Sequence, residues 1–275
     1  MSEVLLFEVE DGVATITLNR PDKRNAFNRE MIRLWLAALG ECETRDDIRA
    51  VILTGAGSQA FCSGGDVGDM DRREERGPWS TKDYLWNAIH KIPLALERLD
   101  KPVICALNGS ATGAGLDMAL MCDIRFAAEG ARFGETYIKV GLVPGDGGAY
   151  FLPRLVGLSK ALELLWTGDL VNATEAERIG LVNRVFSPDQ LLTETKKFAA
   201  RLAAGPGRAM RLTKRLVYQC QRTDLHTSLD LVSSHMGLVT QGDEHKEGVK
   251  AFLEKRAPNF RAVDASAQGA PENKA

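Results

Sequence analysis

Two stretches rich in glycine, alanine and serine contain the residues whose types and spacing could do chemistry. They are AVILTGAGSQAFCSGGDV (50–67) and PVICALNGSATGAGLDMAL (102–120). In each, a continuous apolar run predicts a strand buried on both faces, and the small residues after it let the backbone approach a ligand closely. If the two turns meet, one backbone N–H from each forms an oxyanion hole for a thioester enolate or a tetrahedral oxyanion. Taken singly, either turn could also just pack a helix on a sheet.

Nucleotide-binding motifs fit the second turn poorly. Gly113 and Gly115 begin a G-x-G-x-x-G pattern, but Met118 stands at its last glycine position. None of the glycine turns ends in Gly-Lys-Ser or Gly-Lys-Thr, as a Walker phosphate loop does. Rossmann and Walker sites are therefore disfavoured.

A third glycine-rich segment, PGDGG (144–148), places one carboxyl group in a bend. The Asp146 carboxylate could be a turn former or a helix cap, which is common in such bends. It could also be an acid or base, provided that the bend faces the oxyanion hole. Both interpretations stay open at this point.

The composition indicates a soluble globular protein. The chain has 275 residues, 44% of them apolar and 26% charged, with a formal charge of -2, which disfavours nucleic acid as a partner. No uncharged apolar run approaches the roughly 18 residues of a membrane span. Five scattered cysteines without a C-x-x-C pair predict free thiols in the cytoplasm, and the four histidines lack zinc-ligand spacing.

Hydrophobic periodicity and turn residues outline an α/β core followed by helices. The predicted strands are 13–18, 50–54, 102–107 and 124–128, and the predicted helices are 31–39, 116–122, 206–220, 225–239 and 244–254. Capping boxes at Thr174 with Glu177 and at Ser187 with Gln190 predict two further helix starts, the second with Pro188 at its first position. The charged segment 69–91 is predicted to be a loop leading into a helix, and its Trp79, Tyr84 and Trp86 could either line an apolar pocket or pack on the surface.

Four motifs in this order resemble the crotonase superfamily, the enoyl-CoA hydratase/isomerase family. They are LNRPDKRNAFN, AFCSGGDV, NGSATGAGLDMALMCD and the FG…VGLVPGDGG stretch, and the resemblance covers roughly residues 5–260. It implies a crotonase-like α/β spiral of repeated ββα units with a helical C-terminal trimerisation region. The expected domains are the core at 1–200, the helical region at 201–260 and a disordered tail at 261–275. A homotrimer or homohexamer is implied as well.

The resemblance also implies where an acyl-CoA binds. The oxyanion donors correspond to the N–H groups of Gly65 and Ala114, the latter standing where the family usually has glycine. Positions that correspond to the CoA and substrate pocket are Lys23, Arg24, Ala26, Ser63, Gly64, Asp66 and Val67, with Lys23 or Arg24 near phosphate. No separate cofactor and no metal are expected, since coenzyme A is part of the substrate.

The catalytic residues depart from the pattern of the family's hydratases, which typically use two glutamates. The first corresponds to Asp117 and the second to Tyr137. A phenol with an ordinary pKa near 10 is a poor base at neutral pH, so Tyr137 either donates a hydrogen bond or only fills space. Asp146 is the candidate that supplies the missing carboxyl. Asp117, Asp146 and Tyr137 are thus the predicted catalytic residues.

The resemblance favours an enoyl-CoA hydratase, which adds water to a 2-enoyl-CoA to give a 3-hydroxyacyl-CoA through a stabilised thioester enolate. An enoyl-CoA isomerase remains an alternative. A CoA-ester hydrolase or C–C bond hydrolase in which Asp146 orients water is another. A weakly catalytic acyl-CoA-binding protein, motivated by Tyr137 at a glutamate position, belongs to a different class.

Overall fold

Two β-sheets form the centre of the protein, whose computed structural model describes residues 3–66 and 77–263. The strands are β1 (Leu5–Glu10), β2 (Val13–Leu18), β3 (Ala50–Gly55), β4 (Ala60–Cys62), β5 (Val103–Leu107), β6 (Ser110–Thr112), β7 (Ile124–Ala128), β8 (Arg132–Gly134), β9 (Val171–Asn172) and β10 (Arg184–Phe186). The larger sheet has the order β1-β2-β3-β5-β7-β10, and the smaller has the order β4-β6-β8-β9. Pairing is parallel except between β1 and β2 and between β8 and β9.

The chain alternates between the two sheets in a repeating unit. Three times, a strand of the larger sheet is followed directly by a short strand of the smaller one, as β3–β4, β5–β6 and β7–β8. Helices follow these pairs, so the chain advances as ββα units. This confirms the predicted α/β core of repeated ββα units.

Helices pack on both sheets and continue beyond them towards the C-terminus. They are α1 (Arg29–Thr44), α2 (Gly77–Tyr84), α3 (Lys91–Arg98), α4 (Ala114–Leu120), α5 (Gly148–Val156), α6 (Leu158–Thr167), α7 (Ala173–Arg178), α8 (Leu191–Ala203), α9 (Gly207–Cys220), α10 (Leu225–Thr240) and α11 (Asp243–Leu253), with a π-helical turn at Leu85–Ile89 and 3₁₀ turns at Pro21–Lys23 and Thr136–Val140. The three C-terminal helices match their predicted positions closely. Within residues 3–66 and 77–263, no helix has both the length and the apolarity needed to cross a membrane.

The central strands are buried on both faces, as their continuous apolar runs predict. In β3, Val51 and Leu53 pack into the core that also contains α1 and α3. Ala50 and Ile52 point the other way, into a second core against α8. Because both faces are covered, the carboxyl ends of these strands are held rigidly, and the glycine turns follow from those ends.

Two predicted boundaries are wrong because packing overrides local signals. Helix α1 continues through Gly40 to Thr44, since both Leu39 and Cys42 are buried and their packing offsets the roughly 1 kcal/mol cost of a helical glycine. The described part of segment 69–91 is helical from Gly77 rather than a loop. Proline is favourable in a first helical turn, and Pro78 occupies that place. Residues 69–76 lie outside the described ranges.

Both predicted capping boxes are also wrong. Helix α7 is capped by Asn172, whose side chain accepts a 2.8 Å hydrogen bond from the Glu175 N–H, so Thr174 is already inside the helix. Before α8, the Ser187 carbonyl accepts hydrogen bonds from the N–H groups of Gln190 and Leu191. The residues from Ser187 to Gln190, Pro188 included, therefore form a turn, and the helix starts at Leu191.

Candidate active site

The two glycine turns meet in the structure. Gly64 has a φ of 99°, which favours glycine, and a methyl group placed on it would lie 3.6 Å from the Ala114 nitrogen. The first turn is fixed in place because the Phe27 N–H donates to the Gly64 carbonyl at 2.9 Å and the Asp66 N–H donates to the Phe27 carbonyl at 3.1 Å. The backbone around Gly65 therefore lies beside the start of α4.

The backbone N–H groups of Gly65 and Ala114 are available for a ligand. The bridge to Phe27 uses the Gly64 carbonyl and the Asp66 N–H, so the Gly65 N–H points away from Phe27. Ala114 is the first residue of α4, where an N–H has no intrahelical acceptor. Among the described residues, neither N–H has a hydrogen-bond acceptor. The positive φ of this turn is at Gly113, so a side chain at Ala114 causes no backbone strain.

The three predicted catalytic side chains lie in one buried cluster. Asp117 is one helical turn after Ala114 on α4 and is inaccessible to solvent. The Tyr137 hydroxyl donates to Asp117 Oδ2 at 2.7 Å and lies 3.1 Å from Asp146 Oδ2. The Asp146 N–H donates to the same Asp117 oxygen at 3.0 Å. The bend that carries Asp146 therefore faces the turn that carries Ala114.

A fourth acidic group in this cluster is missing from the prediction. Glu135 is buried, and Gly148 brings it close to Asp117, because a methyl group on Gly148 would overlap Asp117 Oδ1 and lie 3.0 Å from Glu135 Oε1. Burial, followed by the negative charge of Asp117, raises the pKa of Glu135 to about 10. The sequence feature that could have pointed to Glu135 is its position directly after the strand-like residues Phe133 and Gly134. Its contact with Asp117 depends on tertiary packing.

Burial and hydrogen bonds set the protonation of the cluster. Burial raises the pKa of Asp117, while hydrogen bonds from Tyr137 and Glu135 and from backbone N–H groups oppose that rise. Burial and the nearby carboxylates raise the pKa of Tyr137 far above its ordinary value. The phenol therefore stays protonated at neutral pH, where it is a hydrogen-bond donor and not a base.

His90 is a second group missing from the prediction. Its Nε2 lies 2.8 Å from the Gly145 carbonyl oxygen and 3.9 Å from Asp146 Oδ1. Since a carbonyl only accepts, Nε2 carries the proton. The Trp86 ring stands edge-on to His90 at 6.1 Å. His90 thus fixes the bend next to Asp146 through its hydrogen bond to Gly145.

Most of the predicted CoA-binding residues lie along one strip beside the first glycine turn. The Ser63 N–H donates to the Arg24 carbonyl at 3.1 Å, which joins the segment from Lys23 to Ala26 to the first glycine turn. Lys23, Arg24 and Ser63 are exposed, whereas Ala26 and Gly64 are buried.

Asp66 and Val67 are the two remaining members of the predicted pocket. Asp66 forms a 2.8 Å ion pair with Arg20, which also donates to the Ala26 carbonyl. Arg20, absent from the prediction, thus ties the strip together. Val67 lies outside the described residues.

The repeated ββα units, with a buried acid cluster beside two glycine turns, define a crotonase-type enzyme. The model of the family described as enoyl-CoA hydratase/isomerase matches residues 8–263, and the chain belongs to this family. The chain is 37% identical over 259 residues to crotonyl-CoA hydratase of Syntrophomonas wolfei, covering 94% of this chain and 98% of that protein.

The chain is also similar to an isomerase and to a solved enoyl-CoA hydratase structure. The 1,2-epoxyphenylacetyl-CoA isomerase of Escherichia coli is 37% identical, over 94% of this chain and 99% of its own. The crystal structure of an enoyl-CoA hydratase from Mycobacterium smegmatis has a TM-score of 0.88 at 35% identity and covers 94% of this chain and 100% of that one. The protein is therefore an enzyme of the enoyl-CoA hydratase/isomerase family that acts on acyl-CoA thioesters.

Proposed function

We propose that the chain hydrates 2-enoyl-CoA thioesters to 3-hydroxyacyl-CoA, with Asp117 and Asp146 as the acid–base pair. The observation that carries this proposal is the contact of both carboxyls with one hydroxyl, that of Tyr137, at 2.7 and 3.1 Å. Two carboxyls at this spacing can remove a proton from water and return one to carbon. Asp117 lies one helical turn after Ala114, whose N–H would hold the thioester oxygen.

In this reaction the substrate carbonyl oxygen accepts hydrogen bonds from the N–H groups of Gly65 and Ala114. Water oxygen bonds to Cβ, one of its protons passes to a carboxylate of the pair, and negative charge moves to the thioester oxygen as an enolate. The two N–H donors stabilise that charge more strongly than the neutral ground state, which lowers the barrier. A carboxyl then returns a proton to Cα, and one water has been added in total.

Coenzyme A would lie along the strip formed by the segment from Lys23 to Ala26 and the first glycine turn. Lys23 and Arg24 are exposed there and can pair with phosphate groups. We expect no separate cofactor, since carboxyls and N–H donors suffice for moving protons at carbons next to a thioester.

Double-bond isomerisation is the second candidate function, and the position of the Tyr137 hydroxyl supports it. The Tyr137 hydroxyl already contacts both carboxyls, at 2.7 and 3.1 Å, so a protein group and not water lies between them in this structure. In an isomerase, Asp146 would carry a proton from one carbon of an enoyl-CoA to another with no water consumed. The isomerase relative from Escherichia coli is consistent with this reaction on the same scaffold.

Incubating the enzyme separately with crotonyl-CoA and with a 3-enoyl-CoA tests the proposal. Formation of 3-hydroxybutyryl-CoA from crotonyl-CoA is the expected result, and conversion of only the 3-enoyl-CoA to its 2-enoyl isomer would favour the second candidate. Release of free CoA thiol would instead indicate a hydrolase. Tight thioester binding in calorimetry without any product would indicate an acyl-CoA-binding protein.

We also propose an oligomeric assembly and a cellular location for the protein. A homotrimer or homohexamer is supported by the exposed apolar side chains of the C-terminal helices, among them Leu238 and Phe252. A cytoplasmic location is supported by the five cysteines, which are all free thiols. Neither nucleic acid nor a membrane is proposed as a partner.

A further inference from the structure

Glu135 is a buried carboxyl that has no role in the hydration steps proposed for this enzyme. It follows β8 and is 1% exposed. No N–H or hydroxyl donor of residues 3–66 and 77–263 reaches its two oxygens. A side chain at position 148 would overlap Asp117 Oδ1 and lie 3.0 Å from Glu135 Oε1, so glycine there leaves room for the two carboxyls to face each other.

Two carboxyls can hydrogen-bond to each other only if one of them holds a proton. The charged groups that act on Glu135 are Asp117 on α4 and Asp146 in the bend, both acidic, and the adjacent Tyr137 is a neutral phenol. His90 contacts Gly145 and Asp146 instead. Three ionised carboxyls in this closed site would repel one another at high cost.

The other contacts indicate which member of the pair holds the proton. Asp117 already accepts hydrogen bonds from the Tyr137 hydroxyl and the Asp146 N–H, and both favour its ionised form. Glu135 has no such donors, and its raised pKa is consistent with the neutral form. The shared proton therefore belongs on Glu135.

We propose that Glu135 is a positioning residue that stays protonated and donates a hydrogen bond to Asp117, holding Asp117 as an ionised acceptor towards Tyr137 and Asp146. This inference rests on the proposed function, because the importance of Asp117 comes from it. Without the Glu135 donor, Asp117 would lose a partner that favours its carboxylate form. It would then hold a proton to higher pH or rotate away from Tyr137.

Two substitutions separate the hydrogen bond from the negative charge. Glu135→Gln keeps the shape and offers an amide N–H donor, so kcat should stay within about threefold of the wild type. Glu135→Met keeps the approximate volume but donates nothing, so kcat should fall about tenfold or more, because a buried acceptor loses its partner. The acid limb of its kcat–pH profile should also move to higher pH. A kcat in Glu135→Gln as low as in Glu135→Met would overturn the donor role.

Infrared spectroscopy tests the proton without any turnover. The wild-type protein at neutral pH should have a C=O stretching band of a protonated carboxyl that is absent in Glu135→Gln and retained in the control Glu129→Gln, which alters an exposed glutamate. If Glu135→Gln removes no such band, the inference is wrong. A protein with the band but without enoyl-CoA turnover would overturn the proposed function and leave the proton on Glu135 intact.

Discussion

The Tyr137 hydroxyl lies 2.7 Å from Asp117 Oδ2; burial raises the pKa of Asp117, and this hydrogen bond opposes that rise. Tyr137→Phe removes the hydroxyl and leaves the ring packing in place. The pKa of Asp117 should therefore rise. Where activity depends on the Asp117 carboxylate, the acid limb of the kcat–pH profile should move to higher pH, and kcat at neutral pH should fall about tenfold or more.

A matched control for this variant is Tyr150→Phe, which removes a hydroxyl that contacts Arg222. Its pH profile should coincide with that of the wild type. An acid limb in Tyr137→Phe that stays at the wild-type pH would mean that Tyr137 only fills space next to Asp117.

Asp146→Asn tests the carboxyl that replaces the family's second glutamate. An amide of the same shape keeps the bend but cannot take up or return a proton. We expect kcat to fall about 100-fold or more, the usual size for an acid–base group, with little change in the affinity for a CoA thioester. Steady-state kinetics and calorimetry measure the two quantities. The exposed Asp189→Asn is the control, and undiminished turnover in Asp146→Asn would eliminate Asp146 as a catalyst.

Ala114→Pro removes one proposed oxyanion donor while preserving the helix. Ala114 is the first residue of α4, a position where proline is tolerated, and its N–H has no acceptor among the described residues. Losing a single oxyanion donor typically costs about 100- to 1000-fold in kcat. Ala114→Gly keeps the N–H and should retain activity near that of the wild type. A thermal midpoint close to the wild-type value would exclude a folding defect in Ala114→Pro.

How much of this site the sequence predicts depends on how local each signal is. The glycine turns follow short apolar runs, and the features that define them lie within a few consecutive residues. The contact of Glu135 with Asp117 depends instead on how one segment packs against another helix. His90 is likewise brought to Gly145 by packing of segments 55 residues apart. Neither contact has a periodic pattern that would have indicated it.

Burial of Glu135 should make the stability of the protein depend on pH. Its pKa rises from an ordinary 4.5 to about 10 in the folded state, so above the lower value the folded protein holds a proton that the unfolded chain has lost. The stabilising contribution is complete below 4.5 and is lost as pH rises towards about 10. Glu135→Gln lacks this titration. Urea unfolding from about pH 6 to about pH 9 should show the wild type losing stability relative to the variant.

A constant difference in unfolding free energy across this range would mean that Glu135 is ionised in the folded protein. The exposed Glu129→Gln again provides the comparison, because its curve should run parallel to that of the wild type. Since only residue 135 differs between the wild type and Glu135→Gln, the difference between the two curves reports on Glu135.

Self-association should bury the apolar surface at the end of the chain. On α11, Phe252 is 83% exposed and Leu253 is 74% exposed, next to a groove of about 520 Å³ that helices α9 and α10 also line. Covering such surface stabilises an assembly by about 25 cal/mol for each Å² removed from water. The double substitution of Phe252→Ser and Leu253→Ser should therefore shift sedimentation velocity profiles towards smaller species. The control Leu192→Ser, on α8, should leave them unchanged, and a wild type that sediments as a monomer would rule out the proposed trimer or hexamer.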